Sequence, residues 1–171
     1  MVVAGMTFLG PAKARIIPMN VKINKDVYVD YVLKPLIEKE LPLMFPEDMI
    51  KVFIHHKATS HTARTTIEYL ESMSQKFGIS YQKKEDIVVK GADVAPMDFT
   101  GFSWLKRRVN MRRARTLKGL CKIIRQEWSM FSVPFCQNAF DSWKRRCRMV
   151  VDRQGNHIEN VKSLHRKKTS N

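Results

Sequence analysis

Cysteine is scarce in this 171-residue sequence, where Cys121, Cys136 and Cys147 are the whole complement, odd in number and without a close-spaced pair. That argues against a disulfide framework and a four-cysteine zinc site, and it points to a reducing compartment. No apolar run approaches the ~18 residues of a membrane span. The N-terminus lacks the basic region, apolar core and small-residue cleavage site of a secretion signal. Internal repeats and low-complexity stretches are missing as well. The expectation is a soluble intracellular protein with no membrane partner. What is present, 44% hydrophobic and 27% charged residues, is the mix of a chain that folds around a core, and the length suits one domain.

Acidic residues become rare after position 102. Residues 1–102 carry 13 basic and 12 acidic side chains, residues 103–154 carry 14 and 3, and residues 155–171 carry 4 and 1. The excess of +15 is therefore concentrated in the C-terminal part of the chain. A localised positive surface attracts polyanions, and nucleic acid is the commonest of them inside cells. A solvated helix face is the plainer alternative.

Hydrophobic spacing outlines the elements. Val2–Phe8 and Ala14–Ile17 read as two strands around a turn at Gly10-Pro11. Asn24 is placed to cap a helix beginning at Lys25, which Pro35 should kink or end. Met49–Ile54 reads as a strand buried on both faces. Ala63, Ile67, Leu70, Met73 and Phe77 define a helix that Ser60 or Thr62 can cap and Gly78 can stop. Ile79–Tyr81 and Ile87–Val89 are further strand candidates, so an α/β domain with partly parallel pairing is expected. Later, Leu117, Leu120, Cys121, Ile124 and Trp128 form one helical stripe, with Lys118, Lys122 and Arg125 outside it. Pro134 suits the first turn of a last helix. Its stripe is Cys136, Phe140, Trp143, Cys147 and Val150, with Lys144, Arg145 and Arg148 off it. Trp104, Trp128 and Trp143 all fall on apolar faces, which predicts core packing.

The run from Val52 to Arg64 lies where a strand ends and a helix begins, a usual place for active-site groups in an open α/β sheet. Three histidines, His55, His56 and His61, fall within seven residues. Two are adjacent and no cysteine is near, so the spacing fits a three-ligand zinc site poorly. Satisfied polar groups around a helix cap are the better reading of His61 and Ser60.

Phe53-Ile54-His55-His56-Lys57-Ala58-Thr59-Ser60-His61-Thr62-Ala63-Arg64 resembles the block Phe-X-X-Asp-X-Ala-X-X-His-Thr-Ala-Arg of mariner-type transposases. Ala92-Asp93-Val94-Ala95-Pro96-Met97-Asp98-Phe99, followed by Leu105-Lys106-Arg107-Arg108, is similar to the family's third block. Arg115-Thr116-Leu117, Glu127-Trp128 and Arg145-Arg146-Cys147 resemble its C-terminal helices, and Met1–Gly5 resembles the strand after its first block. The likeness runs over about residues 1–155.

The resemblance implies an α/β, RNase H-like mixed sheet lacking its first strand, followed by basic C-terminal helices. It divides the chain into a partial DDE/D catalytic domain at 1–110, a basic helical part of the same domain at 111–154, and a polar basic tail at 155–171. Family members hold two Mg2+ (or Mn2+) ions on three carboxylates for in-line attack on a phosphodiester. Here the second position is His56, a nitrogen donor ill-suited to hard divalent ions. Asp98 stands at the third, with 41 residues between it and His56, and the first would lie upstream of Met1. Asp98 fits equally as a helix N-cap for residues 99–109, and Asp93 as a turn residue before Pro96.

The reading that follows is a degenerate transposase catalytic-domain remnant, inactive as it stands. It would bind DNA through Lys106, Arg107, Arg108, Arg112, Arg113, Arg115, Lys118, Lys122, Arg125, Lys144, Arg145 and Arg148. The resemblance also implies a homodimer. Two alternatives remain open. One is an active endonuclease completed by upstream sequence or a partner chain; the other is a non-enzymatic basic module for RNA or an acidic protein. The clusters Lys106–Arg108 and His165–Lys168 suit nuclear import, and the nucleus is the expected location.

Overall fold

The computed structural model describes residues 1–46, 49–83, 85–86 and 91–158. The strand expected at 87–89 and the basic cluster at 165–168 lie outside them. Secondary structure runs β1 Val2–Val3, β2 Met6–Thr7, β3 Gly10–Pro11, β4 Arg15–Ile16, α1 Lys25–Tyr28, α2 Leu41–Met44, β5 Lys51–Phe53, α3 Arg64–Phe77, β6 Ile79–Tyr81, α4 Ser103–Arg112, α5 Leu117–Ser129 and α6 Val133–Asp152. The described strands pair as three two-stranded ribbons. The chain forms two units, Met1–Ala4 with Ala12–Lys90, and Gly5–Pro11 with Gly91–Asn171.

In the first unit β1 and β4 are antiparallel, with Val2 opposite Ile16. Asn24 caps α1 as its residue type predicts, its side chain accepting from the Val27 amide at 2.9 Å. Pro35 does not end this helix. Between α1 and α2 the chain stays helical through π-wound turns at Val29–Leu33 and Pro35–Glu40. A π turn moves each acceptor one residue further back, which accommodates a residue with no amide hydrogen and a bulky ring. Tyr28, Val29, Val32, Leu33, Ile37 and Leu41 face inward and build the core with Ile17, Leu70 and Ile79.

β5, α3 and β6 make a β-α-β unit whose strands are parallel, Val52 opposite Ser80. Gly78 closes α3 in the left-handed region (φ 63°), where a side chain is disfavoured, and its amide returns to the Ser74 carbonyl. The helix begins without the expected hydroxyl cap: Ala63 holds the cap position. Thr62 Oγ1 instead donates to the Ala58 carbonyl and Thr66 Oγ1 to the Ser60 carbonyl (2.7 Å). The expectation that Met49–Ile54 is buried on both faces also fails. Phe53 packs on the core, but Ile50, Val52 and Ile54 are 87%, 59% and 56% exposed. Alternate residues of a strand point to opposite faces, and among the described residues only the Phe53 face is covered.

In the second unit β2 and β3 pair with Thr7 opposite Gly10. The turn is therefore at Phe8-Leu9, not at Gly10-Pro11. Thr7 Oγ1 accepts from the Leu9 amide and donates to the Gly10 carbonyl, which sets the turn two residues early. Gly10 has φ 139°, and a Cβ there would meet Val133 at 3.3 Å. A π-wound turn at Met97–Phe102 leads into α4. Thr116 caps α5 by accepting from the Gly119 amide at 3.0 Å, and Pro134 stands in the first turn of α6. Leu105, Ile124, Trp128, Phe131, Cys136 and Ala139 are buried. Phe131 stacks on Trp128 (centroids 4.9 Å apart) and meets Trp104 edge-on at 5.1 Å. Gly101 lets the chain pass close: a Cβ would lie 3.0 Å from the Met97 side chain. Trp143 stays 40% exposed although it lies on the apolar stripe of α6, so core packing holds for Trp128 but not for Trp143. Burial pushes the Cys136 thiol up to about 11.

Candidate functional site

The histidine-rich block sits in the first unit, on the loop from β5 to α3. His61 is buried and stacks on Tyr28, ring centroids 3.9 Å apart. Its Nδ1 lies 3.0 Å from the His56 carbonyl. A carbonyl only accepts, so Nδ1 carries the proton and Nε2 is the bare nitrogen. His55 Nδ1 is 3.3 Å from the Tyr28 hydroxyl, and its Nε2 is buried with no hydrogen-bond partner among the described residues. Burial pushes both imidazoles down to about 4, with neighbouring histidines adding to the effect. Burial also moves the Tyr28 phenol well above its ordinary range. This is a neutral cluster that knits the loop to the α1 helix. His56 contributes its carbonyl to it, and its own ring is exposed.

Asp98 belongs to the second unit. It lies in the first π-wound turn after the cap residue Pro96, so it is not the N-cap. A carboxylate in a first turn is favoured by the helix dipole. Its side chain is exposed and makes no hydrogen bond or ion pair among the described residues, while its carbonyl accepts from Ser103 Oγ at 2.9 Å. Asp93, expected as a turn residue, does more. Its carboxylate accepts from the Ile158 amide (3.1 Å) and meets His157 Nδ1 (2.9 Å). Burial would raise this carboxyl, but the bonds from His157 and Ile158 outweigh it and hold it below its ordinary value. Arg146 donates to the Asp93 carbonyl and lies 4.0 Å over the Phe99 ring.

No group of three or more His, Cys, Asp or Glu among the described residues could hold a metal ion. The residues at the two matched positions do not fit a pair of hard divalent ions either. One offers an imidazole and the other a single carboxylate, where such ions require several oxygens.

The basic residues divide into two groups. Lys106, Arg107, Arg113, Arg115, Lys118, Lys122, Arg125, Lys144, Arg145 and Arg148 are exposed. Arg108 and Arg112, 40% and 47% exposed, differ in being engaged by a carboxylate of the unit. Arg108 Nε and Arg112 Nη1 each donate to Glu127 at 2.7 Å, and Glu127 is completely buried. The bond from Arg108 outweighs burial and holds the Glu127 carboxyl below its ordinary range. Sequence reasoning missed Glu127 as a structural centre. The signal was there: it stands three residues after Ile124 on the apolar stripe, among very few acids in 103–154.

Three ribbons, one of them parallel, among long helices define a mixed α/β domain of the mariner-type DDE transposase catalytic-domain fold. Solved structures of Mos1 are among those that show it. Its catalytic domain matches with a TM-score of 0.74 and 16% identity, over 92% of this chain and 75% of that one. The Mos1 paired-end complex with Mn gives 0.75 and 16%, over 92% and 44%. A Mos1 paired-end complex with the left transposon end gives 0.72 and 15%, again over 92% and 44%. At such identities what is shared is the fold, and the chain spans less than half of the Mos1 chain in those complexes. The Mos1 catalytic domain has been crystallised with Mn and with Mg. No protein-family model and no curated protein matches this sequence.

Proposed function

We propose that this chain is a transposase-derived domain that binds DNA without cutting it. The observation that carries the reading is the exposed basic surface of the second unit, supplied by α4, α5, α6 and the turn between α4 and α5. Cations spread over neighbouring helices suit phosphates, which contribute most of nonspecific affinity. The Mos1 complexes with transposon ends favour DNA over RNA or an acidic protein as the polyanion. Loss of the chemistry rests on His56, an imidazole where the resembled block carries a carboxylate. A nuclear location and a dimer belong to the same proposal; microscopy of a tagged chain and sedimentation read them.

Fluorescence anisotropy with a short duplex across a salt series tests the binding. The slope of log affinity against log salt is about −0.9 per phosphate neutralised, so about −5 or steeper is expected. Absence of binding at low salt overturns the reading. Plasmid nicking with Mg2+ or Mn2+ tests the chemistry: none is expected, and nicking abolished by Asp98→Ala would show an intact active site.

A further inference from the structure

Glu127 is out of place by ordinary rules. A carboxylate is costly to bury unless its charge is met and its oxygens are bonded. Both oxygens are bonded here, Oε2 by Arg108 Nε and Oε1 by Arg112 Nη1, each at 2.7 Å. Arg112 Nη2 adds a bond to Gln126 Oε1 at 3.3 Å.

The two arginines are four residues apart on α4, so they share one face, and Trp104 continues the same row one turn earlier. The Arg108 guanidinium lies 6.0 Å over the Trp104 ring. Lys106 and Arg107 fall off that row and are exposed. α4 then ends at Arg113, which adopts the left-handed conformation (φ 46°) and is exposed together with Arg115. One arginine-rich run is thus sorted into a pair tied to a carboxylate, though still 40% and 47% exposed, and a set with no such tie among the described residues.

We propose that Glu127 is a positioning residue for the basic face. It withdraws Arg108 and Arg112 from phosphate contact and orients α4 so that Lys106, Arg107, Arg113 and Arg115 meet the nucleic-acid backbone. This rests on the DNA-binding reading above and adds which cations count. Charge-assisted hydrogen bonds from guanidinium to carboxylate are short and strong, so the pair stays on Glu127 when phosphate is offered at the surface.

The test is the salt slope of duplex binding by the full chain, from about 50 to about 200 mM salt. In the first variant, Lys106→Gln with Arg107→Gln, the slope becomes shallower by about 2. In the second, Arg108→Met, Arg112→Met and Glu127→Met together replace the network with apolar side chains and leave no buried charge unpaired; the wild-type slope is retained. The third, Glu127→Gln, removes the charge and turns one acceptor into a donor, which releases at least one guanidinium, and the slope steepens by about 1 to 2. A purely structural Glu127 would move stability without steepening the slope. Tryptophan fluorescence confirms folding, and if the triple variant does not fold, Glu127→Gln decides.

A shallower slope in a folded triple variant overturns the inference by showing that Arg108 and Arg112 are phosphate ligands. An unchanged slope in Glu127→Gln also overturns it. A wild-type chain without salt-dependent binding takes down the DNA reading itself, an outcome distinct from either.

Discussion

In the first unit His55 and His61 lie against Tyr28 as neutral rings with no charged partner among the described residues, whereas in the second Glu127 is sealed from solvent as an ion between two guanidiniums. Both arrangements bury groups that titrate, and they respond to acid in different ranges. A histidine with a folded value near 4 and an unfolded value near 6.5 binds fewer protons when folded. Stability from that cluster is therefore lost as pH falls from about 6.5 to about 4. Glu127 is held below its ordinary range, so its contribution is complete above about 4.5 and fades only below that. A protein can thus carry two acid sensitivities according to whether burial is met by neutrality or by pairing.

The chain provides its own probes for the difference. Its tyrosines, at 28, 31, 69 and 81, all belong to the first unit, and its tryptophans, at 104, 128 and 143, to the second. The largest effect is expected from Glu127→Ala, which strands two arginines at the edge of a core. The thermal midpoint by tryptophan fluorescence should fall by about 10 °C, and an unchanged midpoint would mean the network holds nothing in place. Leu33→Ala removes a fully buried side chain from the other core; a loss of about 3 kcal/mol is expected in urea unfolding followed by tyrosine absorbance.

Moving from about pH 7 to about pH 4.5 should cost the first unit about 3 kcal/mol while tryptophan emission holds. His55→Asn with His61→Asn should flatten that response, and equal acid sensitivity in both signals would erase the contrast. Asp93→Ala is a smaller test within the second unit, about 1 kcal/mol, because it releases one backbone amide and an exposed His157. Arg64→Ala comes last. The pair with Glu68 has a guanidinium that is 91% exposed, and no resolvable change in midpoint is expected.

What the sequence revealed depended on how local the physics was. The Asn24 cap, the Gly78 stop, the helix of 64–77 and Pro134 in the first turn of α6 are decided within one or two turns of chain. Each was legible. The path through Pro35 was not, because tertiary burial of Val32, Leu33 and Ile37 on both sides keeps the helix whole where propensity would end it. Met49–Ile54 misled for a related reason: an apolar run says which residues prefer burial, not whether a neighbour covers both faces. At the candidate site, the blocks carrying His56 and Asp98 pointed to the right fold. The partition of arginines stayed hidden because charge counting treats every cation as unpaired, and only the packed position of Glu127 separates Arg108 and Arg112 from the rest.

Cys136 turns the second core into a clock. Its sulfur is completely enclosed, and the thiolate is disfavoured at neutral pH because burial holds the thiol protonated. Only a thiolate that reaches solvent is alkylated. The slow phase of labelling by a maleimide therefore times the opening of the helical core, with Cys121 and Cys147, both less deeply placed, marking the faster phases. When cleavage or labelling lags behind reclosing, such a rate reports the population of the open form. The same chain that carries spectroscopic reporters for each unit thus holds a chemical one for the population of its open state.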